Sequence, residues 1–479
     1  MLIDGELTAA ENGATYPDIS PLNGEEIARA PDASLRDLDR AIAAARRAFD
    51  ATDWSSNHAA RVAKLRVFAD LIRKNRDRLA DLARDEVGAP MGCIYSAQCD
   101  WPLGGLDFAI NLADTYAWEE DLGPSTGPTG LTSRRKVWKE PVGVVAAITP
   151  WNVPTQINLA KVVPALAAGS TVILKPAPET PMLATILGEL AVEAGLPRGV
   201  FNVVTSASPA EIGEALVKDP RVDLISFTGS TATGKRIMAN AADKLARVFL
   251  ELGGKSALIV LDDADFATAV SMGAGVVYNA GQGCASLTRL LVPKARQEEA
   301  VAILKNIMEQ IPYGDPASPM QIMGPLISER QRQRVQGYIE AGKQEGARLV
   351  TGGKAPAQFD KGYWFEPTLF ADVTNDMRIA QEEIFGPVLV VIGFEDDEDA
   401  IRIANDSVYG LSGGVFSADP KRAEHVARKV RTGTFSINGG MWYAADSPFG
   451  GFKQSGIGRE MGREGFEEYL ELKTVASPE

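Results

Sequence analysis

The stretch Gly281-Gln282-Gly283-Cys284-Ala285 holds one of only three cysteines in a chain of 479 residues. A structural cysteine usually packs among bulky apolar side chains, whereas Cys284 has glycine, alanine and serine around it. Neighbours this small let a backbone approach a ligand closely and leave the Cys284 amide N–H free to donate. Two readings stay open: a thiol nucleophile, or a small apolar residue in a glycine-rich bend. A nucleophilic thiol needs an activating environment and usually a base. The two histidines, His58 and His425, lie in helix-like runs without supporting context, so both read as solvated helix residues and Cys-His hydrolysis fits poorly. A carboxylate is the better base. Glu251, in FLELGGK, ends an apolar run with Gly253-Gly254 directly behind it. Low-dielectric walls at such a strand end raise a carboxyl pKa, which suits a general base near neutral pH. The alternative is a solvated strand-end glutamate.

Two more stretches point to an anionic ligand. In FTGSTATGKRI (227–237) a strand ends at Thr228, and a helix begins with Ser230 and Thr231 in its first turn. Amides and hydroxyls at a helix start form an anion site, although this loop is not G-x-G-x-x-G. Lys175, in ILKPAPETP, closes a neighbouring apolar strand, and such carboxyl ends are where parallel sheets bind ligands.

These residues need a scaffold. Apolar runs at 142–149, 170–175, 199–205, 223–228 and 248–252 alternate with helical stretches, the pattern of a doubly wound parallel α/β sheet. One helix carries full punctuation: Thr180 as N-cap, Pro181 at the first helical position, Gly195 and Pro197 as a stop. Leu35 to Val87 reads as two long amphipathic helices, and Asp265 to Val430 as a second α/β domain. SRRKVWKE (133–140) and the terminal YLELKTV alternate like exposed strands, to pair with each other or with another subunit. The resulting division is a Rossmann-like cofactor domain at 1–122 and 141–252, a catalytic domain at 253–440, and oligomerisation strands at 123–140 and 467–479.

Composition narrows the classes. A formal charge of −14 argues against nucleic acid. The longest uncharged stretches, 141–160 and 266–288, carry Asn, Gln and either Pro or several Gly, so no membrane span is expected. The acidic start MLIDGELTAAENG does not resemble a secretory signal, and an odd, small number of cysteines fits a reducing cytoplasm. With no C-x-x-C and no H-E-x-x-H, no metal site is expected.

Taken together, the chain resembles the aldehyde dehydrogenase superfamily. The motifs that carry this are TPWNVP (149–154), KPAPETP (175–181), FTGS (227–230), LELGGK (250–255), GQGC (281–284), EEIFGPV (382–388) and SPFGGFKQSGIGRE (447–460), in family order across nearly the whole length. The resemblance implies Cys284 as nucleophile, Asn152 with the Cys284 amide as oxyanion hole, and Glu251 as the base that activates water to release a carboxylic acid. It implies NAD as cofactor, with Lys175 at the adenosine ribose, Gly229 and Ser230 at the pyrophosphate, and Glu383, Phe385 and Trp151 around the nicotinamide end. Relatives that pass the acyl group to coenzyme A typically lack this glutamate. Where many NAD-preferring relatives have a glutamate, this sequence has Pro178, so measurable NADP use is expected. Val153, Ile157, Trp442, Tyr443 and Phe449 would line the aldehyde tunnel. Their apolar character points to a medium- or long-chain, aromatic or terpenoid aldehyde. A homodimer or homotetramer is expected. The rival readings are a cysteine-dependent acyltransferase and a silent structural relative.

Overall fold

The structure is a computed structural model that describes residues 1–478. Its backbone is a mixed α/β arrangement built on two large sheets. In the first, the strands Val144–Ile148, Thr171–Lys175, Phe201–Val203, Leu224–Thr228 and Arg247–Glu251 all run parallel. They are the five apolar runs of the sequence. Alternate side chains serve opposite layers: Val145 and Ala147 pack into one core cluster, Val144, Ala146 and Ile148 into another. Helices therefore cover both faces, which is why these strands carry no polar side.

The order of those strands decides where a ligand can sit. After Val144–Ile148 the chain adds Thr171–Lys175 and Phe201–Val203 on one side, then crosses to place Leu224–Thr228 on the other. The order reverses between Val144–Ile148 and Leu224–Thr228, and a crevice opens beyond their carboxyl ends. Antiparallel strands extend this sheet on its two sides, Gly456–Ile457 at one edge and Leu2–Ile3 then Glu6–Leu7 at the other. The second sheet has its own core and runs Arg348–Thr351, Thr368–Ala371, Val388–Phe394, Leu287–Pro293, Ser256–Val260, Gly413–Phe416, Ser436–Ile437, with only the first of these antiparallel to its neighbour.

SRRKVWKE and the terminal strand pair with each other: Thr132–Pro141 lies between Leu470–Pro478 and Glu119–Thr126, all antiparallel. Three local expectations are corrected. The second amphipathic stretch breaks at Asn75 into His58–Lys74 and Arg76–Val87. Thr180 does not cap the helix Met182–Glu193, since its buried hydroxyl has no partner. The Glu86 carboxyl caps it instead, accepting from the Met182 and Leu183 amides at 2.5 and 3.0 Å. His58 is no plain surface residue either, because its ring lies 4.2 Å from that of Trp118.

Candidate active site

Cys284 follows a backbone in an unusual conformation. Asn279 and Ala280 have φ of +50° and +52°, and Gly281 +72°. A Cβ on Gly281 would sit 2.0 Å from the Gly386 carbonyl oxygen. That glycine is there so that the cysteine loop can pack against 386–387, rather than to admit a ligand. Left-handed non-glycine residues cost free energy and cluster at functional sites.

Three cavities follow one another here, the last two of them reaching this loop at Cys284. An adenosine-sized hollow of about 330 Å³ is lined by Lys175, Pro178, Phe227, Gly229, Glu214 and Arg236. A cleft of about 410 Å³ is lined by Trp151, Asn152, Gly229, Ser230, Cys284, Glu383 and Phe385. A chamber of about 440 Å³ holds Asn152, Cys284 and Glu251 together with Val153, Ile157, Trp442, Tyr443 and Phe449. Each falls in the range of small-molecule sites. The first two share Pro150, Trp151, Thr228 and Gly229, and the last two share Asn152, Thr228 and Cys284. Cys284 thus stands where a long two-part cleft opens into an apolar chamber. Every candidate site residue read from the sequence lines one of the three.

The oxyanion candidate is firmly held. Asn152 Nδ2 donates one hydrogen to the Gln282 carbonyl at 2.9 Å, and an amide nitrogen has a second to offer. Asn152→Ala is expected to lower kcat by about 10²-fold or more, the scale for one oxyanion donor, with cofactor affinity unchanged; steady-state kinetics with a cofactor titration checks this.

Glu251 is 2% exposed, and neither carboxyl oxygen has a partner within the chain. Burial, and then the nearby Glu460, push its pKa well above the usual carboxylate range, against the pull of Lys161 and Arg459. Gly450 leaves it room, since a Cβ there would lie 2.8 Å from Oε1. Burial also pushes the Cys284 thiol up to about 12, with Glu251 and Glu383 adding to it. The thiol therefore holds its proton until a base takes it or a positive charge arrives.

On the cleft side, Glu383 accepts from the Gly254 amide at 2.9 Å, and burial lifts it to about 6. The Trp151 and Phe385 rings meet edge to face at 5.4 Å. Lys175 is buried, bonds the Pro176 carbonyl at 3.0 Å, and is pulled down to about 8 by desolvation. The Gly229 amide is not free as the sequence suggested; it donates to the Glu251 carbonyl at 3.0 Å. Ser230 caps the helix Thr231–Ala242 through the Thr233 amide. A dinucleotide fits this surface. The cleft is long and continuous, and its lining holds the buried, unpartnered hydroxyl of Thr228 at the switch point.

A model described as the aldehyde dehydrogenase family matches residues 8–475. The chain belongs to that family. Aldehyde oxidation is accordingly its reaction class. It is similar to a betaine aldehyde dehydrogenase of Bacillus subtilis, 41% identical across 99% of this chain and 96% of that protein. It is as similar, at 41% over 99% of this chain and 97% of the other, to a 3-succinoylsemialdehyde-pyridine dehydrogenase of a Pseudomonas species. Among solved structures, an aldehyde dehydrogenase of Mycobacterium tuberculosis complexed with NAD+ superposes with a TM-score of 0.94 at 44% identity, covering 99% of this chain and 97% of that one.

In this aldehyde dehydrogenase several site residues escaped the sequence reading. Gln331 and Arg334, on the helix Glu329–Gln344, donate to the Phe385 and Glu383 carbonyls at 2.7 and 2.6 Å and so carry the 383–385 loop. Nothing local in QRQRVQ distinguishes them from solvated helix residues. Lys161 and Glu460 form a buried pair at 2.9 Å, with Glu460 on the chamber wall. Arg236 and its ion-pair partner Glu214 line the adenosine-sized hollow. Glu179 does not line it and pairs with Arg330 at 3.1 Å. Among the described residues no group of His, Cys, Asp and Glu is placed to hold a metal, and no helix is long and apolar enough to cross a membrane.

Proposed function

We propose that this enzyme oxidises an aldehyde to the free carboxylic acid through a thioester on Cys284, with NAD as main cofactor and NADP also used. The observation that carries this reading is that Cys284 lines both the cofactor-sized cleft and the chamber holding Glu251. The Cys284 thiol gives its proton to water, a loss that the positive charge of a bound nicotinamide would favour. The sulfur then attacks the aldehyde carbon, and the Asn152 side chain with the Cys284 amide stabilises the developing oxyanion. When bound, the nicotinamide cofactor supplies the hydride acceptor, and the residues that would hold it are Lys175, Gly229, Ser230, Trp151, Glu383 and Phe385. Loss of hydride leaves a thioester on Cys284. Glu251 takes a proton from water, the water oxygen adds to the acyl carbon, and the sulfur leaves as the acid forms. A glutamate in this place supports hydrolysis over transfer of the acyl group to a thiol acceptor.

NADP use is supported by the adenosine-sized hollow, where Pro178 stands at the position of the glutamate found in many NAD-preferring relatives and Lys175 supplies positive charge, while Arg236 is paired with Glu214. The substrate reading narrows. The relatives bring no support for a purely hydrophobic aldehyde, since the Bacillus subtilis protein is named for betaine aldehyde, a small polar substrate. The chamber has aromatic walls, with Trp442 and Phe449 stacked at 5.6 Å, and neither Lys nor Arg lines it. The Tyr443 hydroxyl and Gln156 Oε1 are buried there without partners. These features suit an aldehyde with an apolar or aromatic body and a hydrogen-bonding or cationic end, and they disfavour a carboxylate. A panel of betaine aldehyde, benzaldehyde, octanal and succinate semialdehyde with each cofactor tests this. The carboxylate-bearing aldehyde should give the lowest kcat/KM, and NADP should support turnover; succinate semialdehyde leading the panel, or no rate with NADP, would contradict it.

The division into cofactor domain (1–122, 141–252), catalytic domain (253–440) and oligomerisation strands (123–140, 467–479) is part of this proposal. The separate cores of the two large sheets support it, although Gly456–Ile457 joins the first sheet and Glu119–Thr126 straddles one boundary. The exposed edge Glu119–Thr126 supports a homodimer or homotetramer. A cytoplasmic location fits the unpaired cysteines Cys93, Cys99 and Cys284.

A further inference from the structure

The segment Ile94–Gln98 leaves regular helix geometry, with Ser96 at φ −128° and ψ −125°. Single irregular turns of this kind are frequent at functional sites. Here the turn touches both halves of the catalytic apparatus. Ser96 and Tyr278 hydroxyls lie 2.6 Å apart. Gln98, 1% exposed, donates through Nε2 to the Asn152 carbonyl at 2.7 Å and to Asn279 Oδ1 at 3.3 Å.

Asn279 closes the set. Its Nδ2 donates to the same Asn152 carbonyl at 2.9 Å and to the Gln282 carbonyl at 3.4 Å, while Asn152 Nδ2 also donates to that Gln282 oxygen. Gln282 in turn donates to the Asn279 carbonyl at 3.1 Å and accepts from the Ile327 amide at 2.9 Å. Four residues with buried amide side chains, from three separate parts of the chain, are thus linked around the oxyanion position, through one direct side-chain bond (Gln98 to Asn279) and otherwise through the main-chain carbonyls of Asn152, Asn279 and Gln282. Gln98 Oε1 has no partner. Burying an amide with its oxygen unpaired is unfavourable, so the side chain is held for its two N–H donors.

We propose that Gln98 is a positioning residue for the reaction read above: it fixes the Asn152 main chain and the Asn279 side chain so that the second Asn152 Nδ2 hydrogen faces the carbonyl oxygen of an aldehyde on Cys284. Gln98 touches neither substrate nor cofactor and acts through Asn152. Because oriented donors act in the transition state, a small displacement reduces rate more than binding.

The test is a double-mutant cycle of Gln98→Met and Asn152→Ala, read as the single-turnover rate of NADH formation. In the otherwise unaltered chain Gln98→Met should slow that step by about tenfold or more with KM for NAD within about threefold, and in the Asn152→Ala background by less than about twofold. Gln98→Glu keeps the shape and, when its carboxyl is neutral, restores one donor; its rate relative to the unaltered enzyme should rise as pH falls. Equal losses from Gln98→Met in both backgrounds, or a pH-independent ratio for Gln98→Glu, would overturn the role. An unaltered chain that reduces no cofactor with any aldehyde would instead overturn the reading of the reaction on which this role rests.

Discussion

Cys284→Ala is expected to abolish turnover, lowering kcat by on the order of 10⁴-fold or more, the scale seen when a covalent nucleophile is removed. No other thiol can substitute. Cys93 and Cys99 are buried and line none of the three cavities, and burial holds Cys93 at about 11 and Cys99 at about 12. Histidine cannot step in, because His58 packs against Trp118 and His425 sits beside Glu398 on the surface, and neither lines the three cavities. Cofactor affinity should survive the substitution, since Cys284 is one of many residues lining the cleft and alanine removes only the sulfur. Fluorescence titration with NADH measures the second quantity and spectrophotometric turnover the first. An alanine variant that binds cofactor and still oxidises aldehyde at a tenth of the normal rate would exclude the thioester route.

Glu251→Gln should separate the two halves of the reaction. Glutamine keeps the shape and the burial but cannot accept a proton, so hydrolysis should slow by about 10²- to 10⁴-fold. The first half does not need that base for water. One equivalent of NADH per site should still appear in a burst, followed by a nearly flat line in a stopped-flow trace. The pH dependence follows from the raised carboxyl. Its basic form is populated only above the raised pKa, so hydrolysis in the unaltered enzyme should rise with pH through a midpoint above the usual carboxylate range. That limb should vanish in Glu251→Gln.

The same shift bears on stability. A carboxyl whose folded pKa lies above its unfolded value contributes stability that is fully present below the unfolded pKa and lost as pH rises through the folded one. Glutamine removes that loss, so the variant should melt no lower than the unaltered enzyme at pH 8. A carboxyl kept buried and unpaired to serve as a base trades stability for reactivity.

How much of this was legible in the sequence depends on how local the cause was. The five strands of the first sheet were readable because strands buried on both faces must be apolar throughout, as Val144–Ile148 is. That Cys284, Glu251 and Asn152 line one chamber was readable because each sits in a motif whose glycines and prolines fix the backbone around it. Thr180 misled because a capping pattern takes no account of distant competitors, and here Glu86 arrives from 96 positions away. The break at Asn75 was missed because periodicity continues across it. Gln98, Gln331 and Arg334 were invisible because their roles lie in bonds to main-chain oxygens more than 45 residues distant. Such bonds follow topology, and residue type alone does not encode them. The pairing of SRRKVWKE with the terminal strand was open in sequence, and the antiparallel register from Leu470–Pro141 to Pro478–Ser133 places both within one chain.

The most direct test is intact-protein and peptide mass spectrometry of Glu251→Gln quenched in acid after mixing with benzaldehyde and NAD. A sulfur that carries the acyl group predicts a mass increase equal to one benzoyl group less the thiol hydrogen it replaces, mapped to the peptide holding Cys284, in step with the NADH formed. NADH formed with no adduct on that peptide, or with an adduct on any other residue, would contradict it.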